Sequence, residues 1–306
     1  MALREVKTST VRWIHVENPT QEDVNALKEE FDFHPLDLSD AMSKTQRPKI
    51  DVYDDYLFMV LHLPVFHLKT RKVDTQEVNL FLGQGYIVTM TDQAFPVLEG
   101  MFSSCSTDKD FQKSFMHRGS SYLLYRIIHP LFRDVFSVVD KVGEYLHALE
   151  NRIYSEEQTV SSLREIATIQ RMLLRLRATI DPQANIIGQL VTLKRSYLGK
   201  EADVYFDDVH DHVERISAFL SNQKDLLQSL YQMNESLISH RTGEVMKMLT
   251  LISASLLPLT LITGVYGMNI RGLPFADHPL AFLITVGFLF IVLATIIIFF
   301  RRKNWV

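Results

Sequence analysis

Two uncharged runs near the end of the chain limit the fold more than any other feature of the sequence. The first, MLTLISASLLPLTLITGVYGMNI, lies between Lys247 and Arg271; the second, PLAFLITVGFLFIVLATIIIFF, lies between His278 and Arg301. Each is about 20 residues, and at ~1.5 Å rise a helix of that length crosses a ~30 Å hydrocarbon core. A soluble core helix rarely stays uncharged on all its faces for so long. Two membrane spans are therefore expected, 248–268 and 280–300, joined by an outer loop 269–279 and followed by a basic tail 301–306.

The flanking charges orient these spans. Lys247 precedes the first, and Arg301, Arg302 and Lys303 follow the second, whereas the loop between them carries only Arg271 as a base. The positive-inside rule then places both termini, and the whole of residues 1–244, in the cytoplasm of an inner or plasma membrane protein. Net charge divides in the same way: residues 245–306 carry +4 and residues 1–244 carry −8. An acidic soluble part lacks the clustered Lys and Arg that a nucleic-acid partner requires. It suits cations, although an acidic surface more often serves solubility alone. Cys105 is the only cysteine, so neither an internal disulfide nor a Cys-rich zinc site can form. The N-terminal MALREVKTSTVRW has no apolar core and does not read as a signal peptide.

The soluble part changes character along its length. TVRWIHVE and YLFMVLHLPVF, rich in β-branched and aromatic residues, read as strands, and NLFLGQGYIVTM reads as two strands turning at Gly83-Gln84-Gly85. Thr20 followed by Asp23 caps a helix over PTQEDVNALKEEF. Residues 1–118 are expected to form a cytoplasmic α/β domain. Residues 119–200 are expected to form a helical hairpin, kinked at Pro130 and interrupted near Asp181-Pro182. Steps of three and four then give Val209, Val213, Ile216, Leu220, Gln223, Leu227, Leu230, Asn234, Leu237 and Arg241, a mostly aliphatic seam on a stalk helix 201–247. No loop signal parts this stalk from the first span. One continuous helix roughly 90 Å long is expected, and its seam needs neighbours.

The same spacing continues into the membrane as Met246, Leu249, Ser253, Leu257, Thr260, Gly264 and Gly267. As the lining of a central path, Met246 and Leu249 would form a hydrophobic constriction able to dewet, and Thr260 would offer a hydroxyl further out. As a packing face, the same small residues would let helices approach closely. Spacing alone leaves both readings open. Two spans cannot enclose water, so a path would need several chains around an axis. Neither span holds an acid, which excludes a carboxylate proton relay within them. No P-loop, nucleophile elbow or His-Glu-x-x-His pair is present, so an enzyme or an ATP-driven pump is not expected.

Tyr266-Gly267-Met268-Asn269 closes the first span, and with EVMKMLTLISASLLPLTLITGVYGMN, the ending RRKNWV, HPLDLSDAMSKTQRPKIDVYDDYLF and VYFDDVHDHVERI the chain resembles the CorA family of divalent-cation transporters over essentially its full length. The resemblance implies an α+β membrane protein: a funnel-shaped homopentamer with a cytoplasmic α/β domain, a helical hairpin, a stalk helix continuous with the pore-lining span, and a second span. It implies that Gly267, Met268 and Asn269 form the outer selectivity ring, with Met246, Leu249, Ser253, Leu257 and Thr260 along the pore and its gate. Five Asn269 amides could hold hydrated Mg²⁺ through its waters, since Mg²⁺ dehydrates reluctantly. Taken alone, Asn269 reads as a helix C-cap. The resemblance also assigns Asp208 to a regulatory Mg²⁺ site across a subunit interface. Asp211 and His212 lie three and four residues from it, a spacing that a solvated helix N-terminus shares. Asp92, in TMTDQAFPV, is the candidate partner carboxylate.

Channel-like Mg²⁺ uptake gated by intracellular Mg²⁺ is the expected function, with Co²⁺ and Ni²⁺ as further cargo. The outer loop IRGLPFADHP departs from the magnesium-type Met-Pro-Glu-Leu and is similar to the zinc-transporting ZntB branch, and Asp277-His278 would suit Zn²⁺. A ZntB-type Zn²⁺ transporter is the first alternative. A membrane-anchored metal sensor that conducts nothing is the second.

Overall fold

The computed structural model describes residues 3–43, 46–67, 70–155, 160–268 and 279–303. The chain forms two compact units, Met1–Tyr231 and Gln232–Val306.

The first unit is built on a six-stranded sheet of β1 (Leu3–Lys7), β2 (Arg12–Glu17), β3 (Lys49–Val52), β4 (Tyr56–His67), β5 (Lys72–Gly83) and β6 (Tyr86–Thr91), in the order β1-β2-β6-β5-β4-β3. Only β2 and β6 pair in parallel; the other neighbours are antiparallel. The β5–β6 hairpin turns at Gln84-Gly85, where Gly85 takes φ +77°, and a Cβ on Gly83 would run into the Tyr86 ring at 2.2 Å. That is why glycine brackets this turn.

Both faces of the sheet are covered, which explains why Tyr56–Leu61 of β4 is buried without alternation. On one face, α1 (Gln21–Phe31) and α2 (Pro35–Met42) set Val24, Leu27 and Leu38 against Ile14, Phe58, Phe81 and Met90. Helix α1 starts at the expected capping box: Thr20 Oγ1 accepts from Asp23 N–H, and Asp23 Oδ2 accepts from Thr20 N–H. On the other face, Trp13 meets Phe102 of α3 (Pro96–Thr107) edge-on at 5.1 Å and stacks on Phe115 of α4 (Lys109–Met116) at 5.9 Å. Trp13 satisfies its indole N–H on Thr89 Oγ1.

Helices α5 (Ser120–Tyr154) and α6 (Val160–Thr192) form the expected hairpin and pack on β4 and β5. Contrary to the expected interruption, α6 runs through Asp181-Pro182. Three contacts offset the lost Pro182 N–H: Gln183 Nε2 donates to Thr179 O, Arg177 pairs with Asp181, and Ser217 donates to Asp181 Oδ1. Ile180, Ile186 and Ile187 are buried on either side, so tertiary packing holds a helix that local propensity would break.

The last two helices are α7 (Ala202–Tyr266), a single 65-residue element as expected, and α8 (Ala281–Arg302). The neighbours that the α7 seam needs come from the same chain at its beginning. Val209, Val213, Ile216, Leu220, Leu227 and Leu230 are buried, Gln223 lies against Gly143 of α5, and His210 against Gly188 of α6. Gln223 and Asn234 are buried too, so these polar seam positions do not face water; Arg241 does. Among the described residues, α7 and α8 are the two helices long and apolar enough to cross a membrane.

Candidate functional site

In the first unit, the start of α7 brings Asp208 against α5. Tyr125 donates its hydroxyl to Asp208 Oδ2 at 3.2 Å, and His129 Nε2 lies 3.6 Å from the same oxygen. The His129 and His212 rings are 5.8 Å apart. Burial, followed by the His129 and Arg215 charges, pushes the His212 pKa below its ordinary value, which favours the neutral imidazole. His212 Nε2 is buried. The Tyr125 hydroxyl is pushed the other way, upward, by burial and then by Asp208. Asp208 remains half exposed (51% of its side chain), so one carboxylate oxygen faces this cluster while the group stays open to a second partner.

Asp211 does not join that cluster. It lines a groove beside α6 with Arg177, Glu214, Arg215 and Ser217. Asp92 lines a third place, a cavity on the sheet with His62, Glu77 and Asn79. The sequence reading missed His129 and Tyr125, which lie 79 and 83 residues before Asp208 and belong to no local motif.

Among the described residues, His15, Glu17 and Glu99 bring three possible ligand atoms within 4.8 Å of one another. This group already holds a cation. Arg4 forks Glu99 at 2.7 and 2.5 Å and reaches Glu17 at 3.8 Å, and its charge joins burial in pushing the His15 pKa down to about 4. A metal would have to displace the guanidinium, so this group reads as structural.

In the second unit, accessibility divides the apolar half of α7 into two sides. Met246, Leu249, Ser253, Leu257, Thr260, Gly264 and Gly267 are all exposed in the single chain, and so is Met268. Leu251, Ala254, Ser255, Pro258, Leu259 and Ile262 are half-buried, and α8 has a matching half-buried line at Thr285, Leu289, Val292, Ile296 and Phe300. The expected path-lining face is therefore distinct from the side of α7 that packs. Near the end of α7, Leu261, Ile262, Val265 and Tyr266 share an apolar cleft with Ile284, Thr285 and Phe288 of α8.

The exposed face also has a defined polarity. Thr260 donates its hydroxyl to Leu256 O at 2.8 Å, which commits its only proton to the helix and leaves oxygen lone pairs outward. The end of α7 tightens, with Gly267 N–H on Thr263 O and Met268 N–H on Val265 O. A Cβ on Gly267 would stand 3.0 Å from Thr263 O, whereas one on Gly264 would meet nothing. Asn269, together with the rest of the outer loop up to His278, lies outside the described residues.

The family model described as "CorA-like Mg2+ transporter protein" matches residues 8–302 of this chain. The cobalt/magnesium transport protein CorA of Thermotoga maritima is 27% identical over 301 residues, spanning 97% of this chain and 84% of the relative. Among solved structures, the CorA magnesium transporter of Methanocaldococcus jannaschii matches with a TM-score of 0.86 at 19% identity, covering 99% of this chain and 95% of the other. The ZntB cytoplasmic domain of Vibrio parahaemolyticus matches with a TM-score of 0.62 at 14% identity, covering 76% and 90%. At these identities the two structures speak to the fold alone.

Proposed function

The chain belongs to the CorA family of divalent-cation transporters, and from that premise we propose that it assembles as a homopentamer whose α7 helices surround a channel-like path for Mg²⁺ uptake. The observation that carries this reading is the exposed face from Met246 to Gly267, set apart from the side of α7 that packs. Around an axis, Met246 and Leu249 form the constriction, Ser253 and Leu257 continue the wall, and Thr260 contributes a ring of acceptors suited to a hydrated cation. Gly267, Met268 and Asn269 form the outer ring, where ligand exchange through water spares Mg²⁺ full dehydration. Residues 248–268 and 280–300 span an inner or plasma membrane with both termini cytoplasmic, α8 meeting lipid. An inside-negative potential drives uptake by about 4.6 kcal/mol per 100 mV for a double charge. Co²⁺ and Ni²⁺ are candidate further cargo.

Regulation follows from Asp208. Mg²⁺ bridging its open oxygen to a neighbouring subunit stabilises a closed stalk when internal Mg²⁺ is high, and depletion releases it. Flux into liposomes at low and high internal Mg²⁺ tests both parts. Asp208→Ala is expected to lose closure at high Mg²⁺ while still conducting; unchanged closure rejects the sensor. Absence of flux from well-folded oligomers in both conditions rejects the channel and leaves a non-conducting metal sensor.

A second reading, a Zn²⁺ transporter of the ZntB type, is favoured by one observation: two imidazoles, His129 and His212, stand beside Asp208. Imidazole suits Zn²⁺ better than Mg²⁺. Competitive uptake of the two ions at several pH values separates these readings.

A further inference from the structure

Strands β4 and β5 carry a face whose character changes along its length. In their register Phe58 opposes Phe81, Val60 opposes Asn79, and His62 opposes Glu77. The Phe58–Phe81 end belongs to the apolar cluster under α1 and α2. Four residues along β4 the same face is polar, and it forms one wall of a cavity of about 460 Å³ that Asp92 and Asn18 also line.

The polar groups there are already arranged around one another. His62 Nε2 lies 3.4 Å from Glu77 Oε2, and Asn79 Nδ2 donates to Glu77 Oε1 at 2.8 Å. Asn79 fixes the carboxylate so that its free oxygen faces the imidazole. Asn79 itself is only 3% exposed, and its Oδ1 is buried without a hydrogen-bond partner. A plain cross-strand His–Glu pair explains the 3.4 Å separation. It explains neither the orphaned amide oxygen nor a second carboxylate on the same cavity.

A four-coordinate cation with bound waters accounts for the separation and for the orphaned oxygen, and its charge suits a nearby second carboxylate. Ligand atoms about 2.0–2.1 Å from a tetrahedral Zn²⁺ stand about 3.4 Å from one another. Octahedral Mg²⁺ at about 2.1 Å would draw neighbouring ligands to about 3.0 Å. One nitrogen and one carboxylate oxygen also form a donor set for a borderline ion. We propose that His62 and Glu77 ligate a Zn²⁺-like divalent cation in this cavity, with waters completing its shell and one of them donating to Asn79 Oδ1. Asp92 stands too far from the other two for all three to touch one ion, and it acts through a bound water and its charge. The site needs neither a pore nor an assembly, so it stands independently of the transport reading.

The test uses the full-length protein, stripped of metal in detergent and titrated with Zn²⁺ and separately with Co²⁺, in an Asp208→Ala background that removes the carboxylate beside His129. One saturable site per chain is expected, with the strong visible absorption of four-coordinate Co²⁺, which Mg²⁺ does not displace. His62→Gln and Glu77→Gln are each expected to weaken binding by at least about tenfold and to abolish the absorption. Asp92→Asn is expected to weaken binding several-fold and keep the absorption. Glu77→Gln preserves the shape and the acceptor for Asn79, so an unchanged circular dichroism spectrum accompanies its loss of binding. Binding and absorption that survive in both His62→Gln and Glu77→Gln, or no saturable site in the parent, would overturn the proposal.

Discussion

Thr260 illustrates how a single hydrogen bond sets chemistry. Its proton is held by Leu256 O, so what it shows outward is an acceptor. Thr260→Val keeps the volume and removes that acceptor, and we expect single-channel or liposome Mg²⁺ flux to fall several-fold with oligomer size unchanged, while Thr260→Ser restores it. Equal flux in all three proteins would remove Thr260 from the path. His15 carries a different kind of prediction. Its folded pKa of about 4 lies below the ordinary 6.5, so between those values the unfolded chain binds a proton that the folded chain refuses. Stability from this residue is therefore complete above pH 6.5 and lost as pH falls towards 4, by at most about 3 kcal/mol. His15→Gln is expected to flatten the thermal unfolding midpoint against pH across that window; a slope as steep as the parent's would assign the acid sensitivity elsewhere.

At the scale of elements, α7 gives two sharp expectations. Cys105 is buried and its thiol pKa is pushed up to about 12, chiefly by burial, so the native chain is nearly silent to thiol reagents. Single cysteines at Leu249, Ser253 and Thr260 should react with a cationic, membrane-impermeant thiol reagent and block flux, whereas cysteines at Leu251 and Leu259 should not. The reverse pattern would turn the helix around. Within the first unit, Gln223 is buried with Oε1 unpartnered, and a Cβ on Gly143 would press to 3.1 Å from its amide. Gln223→Leu should stabilise by about 1 kcal/mol and Gly143→Ala should cost about as much, read from thermal unfolding of the whole protein. These contacts also mark the limit of what the sequence discloses. The spans, the 65-residue helix, the α1 cap and the β5–β6 turn are local patterns, and periodicity or a Thr–Asp spacing exposes them. The continuity of α6 through Pro182 is not local, because Ser217 of another helix helps secure it. The surroundings of Asp208 are hidden for the same reason: DDVHDH is visible, but His129 and Tyr125 reach it only through packing of α5 on α7.

For the whole molecule, the proposed regulation requires that Mg²⁺ binding at Asp208 reach Met246, which belongs to the other compact unit. Among the described residues both belong to one helix, α7, and the proposed coupling would be carried by its register. A residue added to an α-helix turns everything beyond it by about 100°, whereas seven residues return it to within about 20°. If register carries the signal, one alanine inserted after Gly243 should rotate Met246–Gly267 away from the proposed axis while leaving Asp208 and its partners in place. Its expected signature is intact Mg²⁺ binding at the stalk, measured as protection from proteolysis, together with lost or Mg²⁺-independent flux. Inserting seven residues of the same helix-forming character should largely restore regulated flux despite the greater length. If the single insertion leaves Mg²⁺-dependent closure intact, the two sites are not coupled through α7, and the conformational signal must run through contacts between chains instead.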